Sequence, residues 1–297
     1  MLLTRSLTYC DNGLIVVFKY AADASGSDDL PILTVAGWIA DDEVWARIEA
    51  DWATALNGKI PFLHMRTFGT PHCKHGTGSW PKDKREELLR KLSRLLRLRC
   101  TKAFGAAVVQ AEYRAFMATS KYADVWGSPY SGCAQSALAY VEGWAHQWGV
   151  ADKLAYVFED GDRKHELLHA YDEARRTAIK QFGNVGERSL AFLGKESVAL
   201  QAADLIAYEF RDVLQRALSQ RGNLNAGPDK TASEVRYLQK FFTDRQDVLF
   251  HPNGCPFFCV ILHNGHWREM DVAFEAAEKI RPDMLTKRRK SSQKKKS

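Results

Sequence analysis

Cysteine is scarce and unpatterned in this chain, with only Cys10, Cys73, Cys100, Cys133, Cys255 and Cys259 among 297 residues. That number and spacing give no disulfide framework for a protein of this size, so most are read as small buried hydrophobes. No Cys-x2-Cys pair and no paired histidine spacing occurs, which makes His72-Cys73-Lys74-His75 with Cys255 and Cys259 a poor structural zinc site. Long apolar runs are missing too. Nothing approaches the roughly 18 residues needed to cross a bilayer, and Met1-Leu2-Leu3-Thr4-Arg5 lacks the apolar core of a secretory signal. The expectation is a cytoplasmic protein with no membrane partner. Several enzyme signatures are absent: no Gly-x-Ser-x-Gly elbow, no Gly-x4-Gly-Lys-Ser/Thr phosphate loop and no His-Glu-x2-His helix. Gly76-Thr77-Gly78-Ser79 has no strand leading into it and is followed by Pro81, so it counts for little as a phosphate-binding turn.

Basic charge is lacking outside one end. The formal net charge is +6, yet seven of the 42 basic residues (Lys287, Arg288, Arg289, Lys290, Lys294, Lys295, Lys296) fall in the last twelve positions with no acid among them. The rest of the chain carries 35 basic against 36 acidic residues and is not a basic protein. Residues 286–297 read as a disordered arm, either holding nucleic-acid phosphate by counterion release or merely solubilising. Residues 1–285 read as one domain with insertions, since no linker interrupts them. Sequence pattern does not address the oligomeric state.

Strand and helix signals alternate along that domain. Leu14 to Tyr20 is apolar and β-branched and leads into the turn-rich Asp23 to Asp29; Ile32 to Ile39 follows closely enough to pair with it as a hairpin. Asp41 or Asp42 then caps a helix with Val44, Trp45, Ile48, Trp52 and Leu56 on one face. Residues 58–81 are irregular, with a short strand expected at Phe62 to Arg66; a loop of that length marks a candidate flank of an active site. Lys82 to Leu98 is an amphipathic helix whose leucines 88, 89, 92, 95, 96 and 98 cover a core face. Further strands are expected at Ala103 to Val109, Leu154 to Phe158, Leu190 to Leu193 and Phe257 to Leu262. Helices are expected at Ser131 to Trp148, Lys164 to Gln181, Glu196 onward and Glu234 to Asp247. The alternation predicts an α/β class with a mixed sheet.

Three acidic positions share one context. Asp23 follows the first strand, Glu159, Asp160 and Asp162 follow a central strand, and Asp204 sits on a helix that succeeds a strand. In α/β proteins such positions converge at the carboxyl edge of the sheet, and carboxylates gathered there repel one another unless a cation neutralises them. Oxygen-only ligands suit Mg²⁺ or Mn²⁺, and such ions stabilise attacking and leaving oxygens in phosphodiester hydrolysis. Gln201, three residues before Asp204, shares its helix face and is expected to orient Asp204 or a water. Each has a plainer reading. Gln201, Asp204, Tyr208, Arg211, Asp212 and Gln215 also make an ordinary solvated stripe. Asp23 also suits a turn, and Asp162 suits a helix cap. His64 and Lys195 lie near the same edge as lone candidates for substrate contact or support of the carboxylates, although lone residues of these types more often serve packing or surface roles.

Taken together, Tyr20-Ala21-Ala22-Asp23-Ala24-Ser25-Gly26, Ala36-Gly37-Trp38-Ile39, Phe62-Leu63-His64 and Leu200-Gln201-Ala202-Ala203-Asp204-Leu205-Ile206-Ala207-Tyr208 resemble the bacterial "domain of unknown function 3800" family across most of the chain. The last motif is the most specific. The resemblance implies a ribonuclease H-like fold, a mixed β-sheet flanked by helices. It also implies carboxylates on the first strand, a central strand and a late helix: here Asp23, Glu159 or Asp160, and Asp204. The implied activity is a Mg²⁺- or Mn²⁺-dependent nuclease acting on RNA or DNA, with a non-catalytic nucleic-acid- or protein-binding member as the alternative. One departure stands out. The family usually has Asp-Glu-Ser-Gly where this chain has Asp23-Ala24-Ser25-Gly26, which removes one candidate ligand.

Overall fold

The computed structural model of the chain describes residues 17–58, 60–68, 80–148, 153–161, 163–220, 257–263 and 266–271. Among these, seven strands build one mixed sheet. β1 (Phe18–Ser25) pairs antiparallel with β2 (Ile32–Asp41), and β2 antiparallel with β3 (Lys102–Val109). On its other side β1 pairs parallel with β4 (Lys153–Glu159), which pairs parallel with β5 (Glu187–Leu193). β6 (Phe257–His263) runs parallel to β3, and β7 (His266–Asp271) lies outermost, giving the order β5-β4-β1-β2-β3-β6-β7.

Helices cover both faces because side chains alternate along each strand. One layer contains α1 (Asp42–Leu56), α2 (Met65–Phe68), α3 (Lys82–Arg99) and α8 (Val198–Gln220), packed over Ala21, Ala36, Trp38, Ala40, Ala107 and Val157. The sheet's small residues, with Ala199, Ala202 and Ala207 on the helix, bring α8 close to the strands. Two side chains of β2 tie it down: Trp38 Nε1 donates to Ala202 O at 3.1 Å and Thr34 Oγ1 to Ala207 O at 3.0 Å. The other layer holds α4 (Gln110–Thr119), α6 (Pro129–Gln147) and α7 (Lys164–Phe182) over Tyr20, Ala22, Val35, Phe104, Tyr156 and Phe158, with the short α5 (Ala123–Trp126) beside them. A buried ion pair fastens α6 to this face. Glu142 accepts Arg188 Nε and Nη2, each at 2.8 Å, and the Tyr156 hydroxyl at 2.6 Å, so the charges enter the core with their hydrogen bonds made.

Several expectations shift. Asp23, Ala24 and Ser25 continue β1 instead of turning, because the antiparallel ladder with β2 runs on past the end of the β4 pairing at Ala21; Asp23 stands opposite Ala36 and Ser25 opposite Thr34. Residues 65–68 form a helical turn, not a strand: His64 O accepts the N–H groups of Thr67 and Phe68, while Met65 and Phe68 bury their side chains. Leu98 is exposed although it falls in the leucine-rich stripe of α3. Helices α4 and α5 add to the expected elements, α4 burying Gln110, Tyr113 and Met117. Asp41, not Asp42, caps α1, accepting the Val44 N–H at 2.7 Å. Residues 14–16, Asp162, the helix expected at 234–247 and the basic arm at 286–297 lie outside the described residues. Among the described residues no helix is long and apolar enough to cross a membrane.

Candidate carboxylate centre

Strand alternation decides which acids meet. On β1, Ala21 packs in the α8 layer and Ala22 in the α6 layer, so Asp23 leaves the sheet on the α8 side. On β4, Val157 packs in the α8 layer and Phe158 in the α6 layer, so Glu159 also leaves on the α8 side. Ala21 and Val157 are partners in the parallel β1–β4 ladder, and Asp23 and Glu159 each come two residues later. Asp204 reaches the same region from α8. The three therefore gather at the carboxyl ends of parallel strands, where α/β proteins build their sites. Position 24 alternates to the opposite face, where Ala24 packs against the α6 layer. A glutamate there would project away from Asp23, so the alanine leaves this centre intact.

Both aspartates are held through one oxygen. Asp23 Oδ1 accepts the Ala24 N–H at 2.7 Å, and Asp204 Oδ2 accepts the Met65 N–H at 2.7 Å. Among the described residues, the second oxygen of each takes no hydrogen bond. Asp23 is partly open to solvent yet closely surrounded by protein, and its carboxyl is pushed up to about 8. Burial is the largest cause, the Asp204 charge comes next and Glu159 adds to it, while the Ala24 N–H and Lys195 pull the other way. Asp204 is pushed up to about 6, again chiefly by burial, with Glu159 adding and the Met65 N–H, Lys195 and Arg211 opposing.

Lys195, on the turn between β5 and α8, pairs with Glu159 at 3.1 Å. Asp160 is turned outward and pairs with Lys164 at 3.2 Å, as the alternation of β4 requires. Gln201 is almost fully buried and does not face water: its Oε1 accepts Trp52 Nε1 at 3.0 Å and the Leu63 N–H at 2.8 Å, and its Nε2 donates to Glu196 O at 3.0 Å. The amide thus braces two segments at once, the loop whose Met65 N–H holds Asp204 and the turn whose Lys195 holds Glu159. His64, half-buried, contributes its carbonyl to the α2 turn. Sequence reasoning missed the Met65 N–H, which no side-chain pattern announces. It also missed Tyr130 on α6, a buried phenol that feels Asp23, Glu166 and Glu159, with the Arg163 guanidinium 5.2 Å from its ring centre. Nothing in the run of residues around Tyr130 marks it.

Carboxylate oxygens are the donor type that hard divalent cations take, and backbone N–H groups orient two of these three carboxylates. As placed, no three His, Cys, Asp or Glu side chains among the described residues are grouped closely enough to hold a metal ion between them, and Lys195 brings a positive charge to the acids instead. Compared with known proteins, the sequence matches no family model, and no curated protein matches it.

Proposed function

We propose that this protein hydrolyses phosphodiester bonds of RNA or DNA with a divalent cation held by Asp23, Glu159 and Asp204. One observation carries the reading: these carboxylates, set on two parallel strands and a helix, share one face at the carboxyl edge of the sheet, with each aspartate aimed by a backbone N–H. The mixed sheet, and acids on its first strand, on a central strand and on a late helix, agree with a ribonuclease H-like fold and with the sequence resemblance. Mg²⁺ or Mn²⁺ bound there would neutralise phosphoryl oxygens and lower the pKa of the attacking water. The protein's own part is positional. Asp23 and Asp204 present the oxygens that take no hydrogen bond among the described residues, Glu159 supplies the third carboxylate, and Gln201 keeps the Met65 and Lys195 segments in place.

The test is hydrolysis of labelled RNA, DNA and RNA:DNA hybrid with either metal. Asp204→Ala is expected to lower the metal-dependent rate at least about 100-fold, and activity that survives the substitution sinks the assignment. A second reading, a non-catalytic binding member of the same fold, is favoured by the Lys195–Glu159 pair, which already supplies a cation to the acids. It is supported if the melting temperature stays unchanged across a Mn²⁺ titration.

A further inference from the structure

We infer that Lys195 is the resident counter-ion of the carboxylate centre, standing where a divalent cation would take hold of Glu159, so that metal loading requires its ammonium to leave. The inference rests on the metal reading above and assigns this lysine a role that the reading does not need. Its Nζ lies 3.1 Å from Glu159 Oε1. The backbone around it is pinned: Ser197 N–H donates to Gly194 O at 3.0 Å, Gln201 Nε2 donates to Glu196 O at 3.0 Å, and Leu193 O accepts the Asp160 N–H at 2.9 Å. The side chain is 49% exposed, so the ammonium can swing into solvent while its turn stays fixed. Its charge also acts on Asp23 and Asp204, opposing the rise that burial imposes on both. A divalent cation drawing on the same oxygens meets that ammonium within a few ångströms, well inside the distance over which salt screens charges, so the two repel.

The experiment is a Mn²⁺ titration of the full-length protein, followed by calorimetry, for the wild type, Lys195→Met and Lys195→Arg. Lys195→Met, which removes the competing charge and keeps most of the stem, is expected to bind Mn²⁺ about tenfold more tightly. Lys195→Arg, which keeps the charge, stays within about twofold of the wild type. Equal or weaker Mn²⁺ binding in Lys195→Met overturns the inference while leaving the metal reading of the wild type standing. Mn²⁺ binding by Lys195→Met alone upholds the counter-ion role and sinks the metal-dependent reading of the wild-type chain. Absence of binding in all three proteins sinks both.

Discussion

Asp23 shows how a single residue changes character when its surroundings are known. In the sequence it is an acid before Ser25-Gly26, as good a turn residue as a ligand; in the structure it is a strand residue whose carboxyl is pushed up to about 8 by burial and by Asp204. That has a consequence for stability. An unfolded aspartate releases its proton near about 3.9, so between there and pH 8 the metal-free folded protein holds more protons than the unfolded chain. Stability must therefore fall as pH rises through this window, and Asp204, shifted in the same direction, adds to the fall. Thermal melts in chelator at pH 5 and at pH 8.5 are expected to show a lower melting temperature at the higher pH. Asp23→Asn, which cannot ionise, should lose much less; parallel slopes for the two proteins would contradict the assignment. The acids themselves were legible in the sequence. The choice of Glu159 over Asp160 was not, since adjacent residues differ only in which face of the sheet they take.

At the scale of elements, α8 is the clearest example of a pattern with two meanings. Gln201, Asp204, Tyr208 and Arg211 form the arc that a solvated stripe would, because a helical wheel records polarity and not what lies opposite. Here α1 and the loop before α2 lie opposite, so Gln201 commits its amide to Trp52, Leu63 and Glu196. Leaving such partners unsatisfied in the core is costly, which explains a polar residue there without any appeal to water. The alternation of β1 yields a sharper expectation. Ala24→Glu places a second acid next to Asp23 in the sequence, but on the face covered by α6. Calorimetry should find Mn²⁺ affinity within about twofold of the wild type, and denaturant melts a drop of about 1–3 kcal/mol for placing a carboxylate against that layer. A large gain in Mn²⁺ affinity would mean that position 24 reaches the metal after all.

At the scale of the whole molecule, the charge is divided between a body close to neutral and a strongly basic end. If that end engages nucleic acid, truncation after Thr286 should make the salt dependence of binding shallower, by about 0.9 in log–log slope for each duplex phosphate that the arm neutralises. On the proposed nuclease reading, hydrolysis of a short substrate at low salt should persist, because Asp23, Glu159 and Asp204 are not part of the removed segment. Identical slopes, measured by fluorescence anisotropy, would remove the arm from recognition.

The local periods of the chain determined its class, its strand–helix alternation, most helix bounds and the acids worth suspecting, because side-chain spacing reports which face of an element is apolar. Only the tertiary structure decided that β1 runs on through Asp23 to Ser25, that Glu159 and not Asp160 joins Asp23, and that Gln201 braces the centre from within the core. It also decided that a lysine nine residues before Asp204 lies against Glu159. Those outcomes depend on ladder partners and on pairings between residues as much as 149 positions apart, such as Trp52 with Gln201, and no local pattern encodes them.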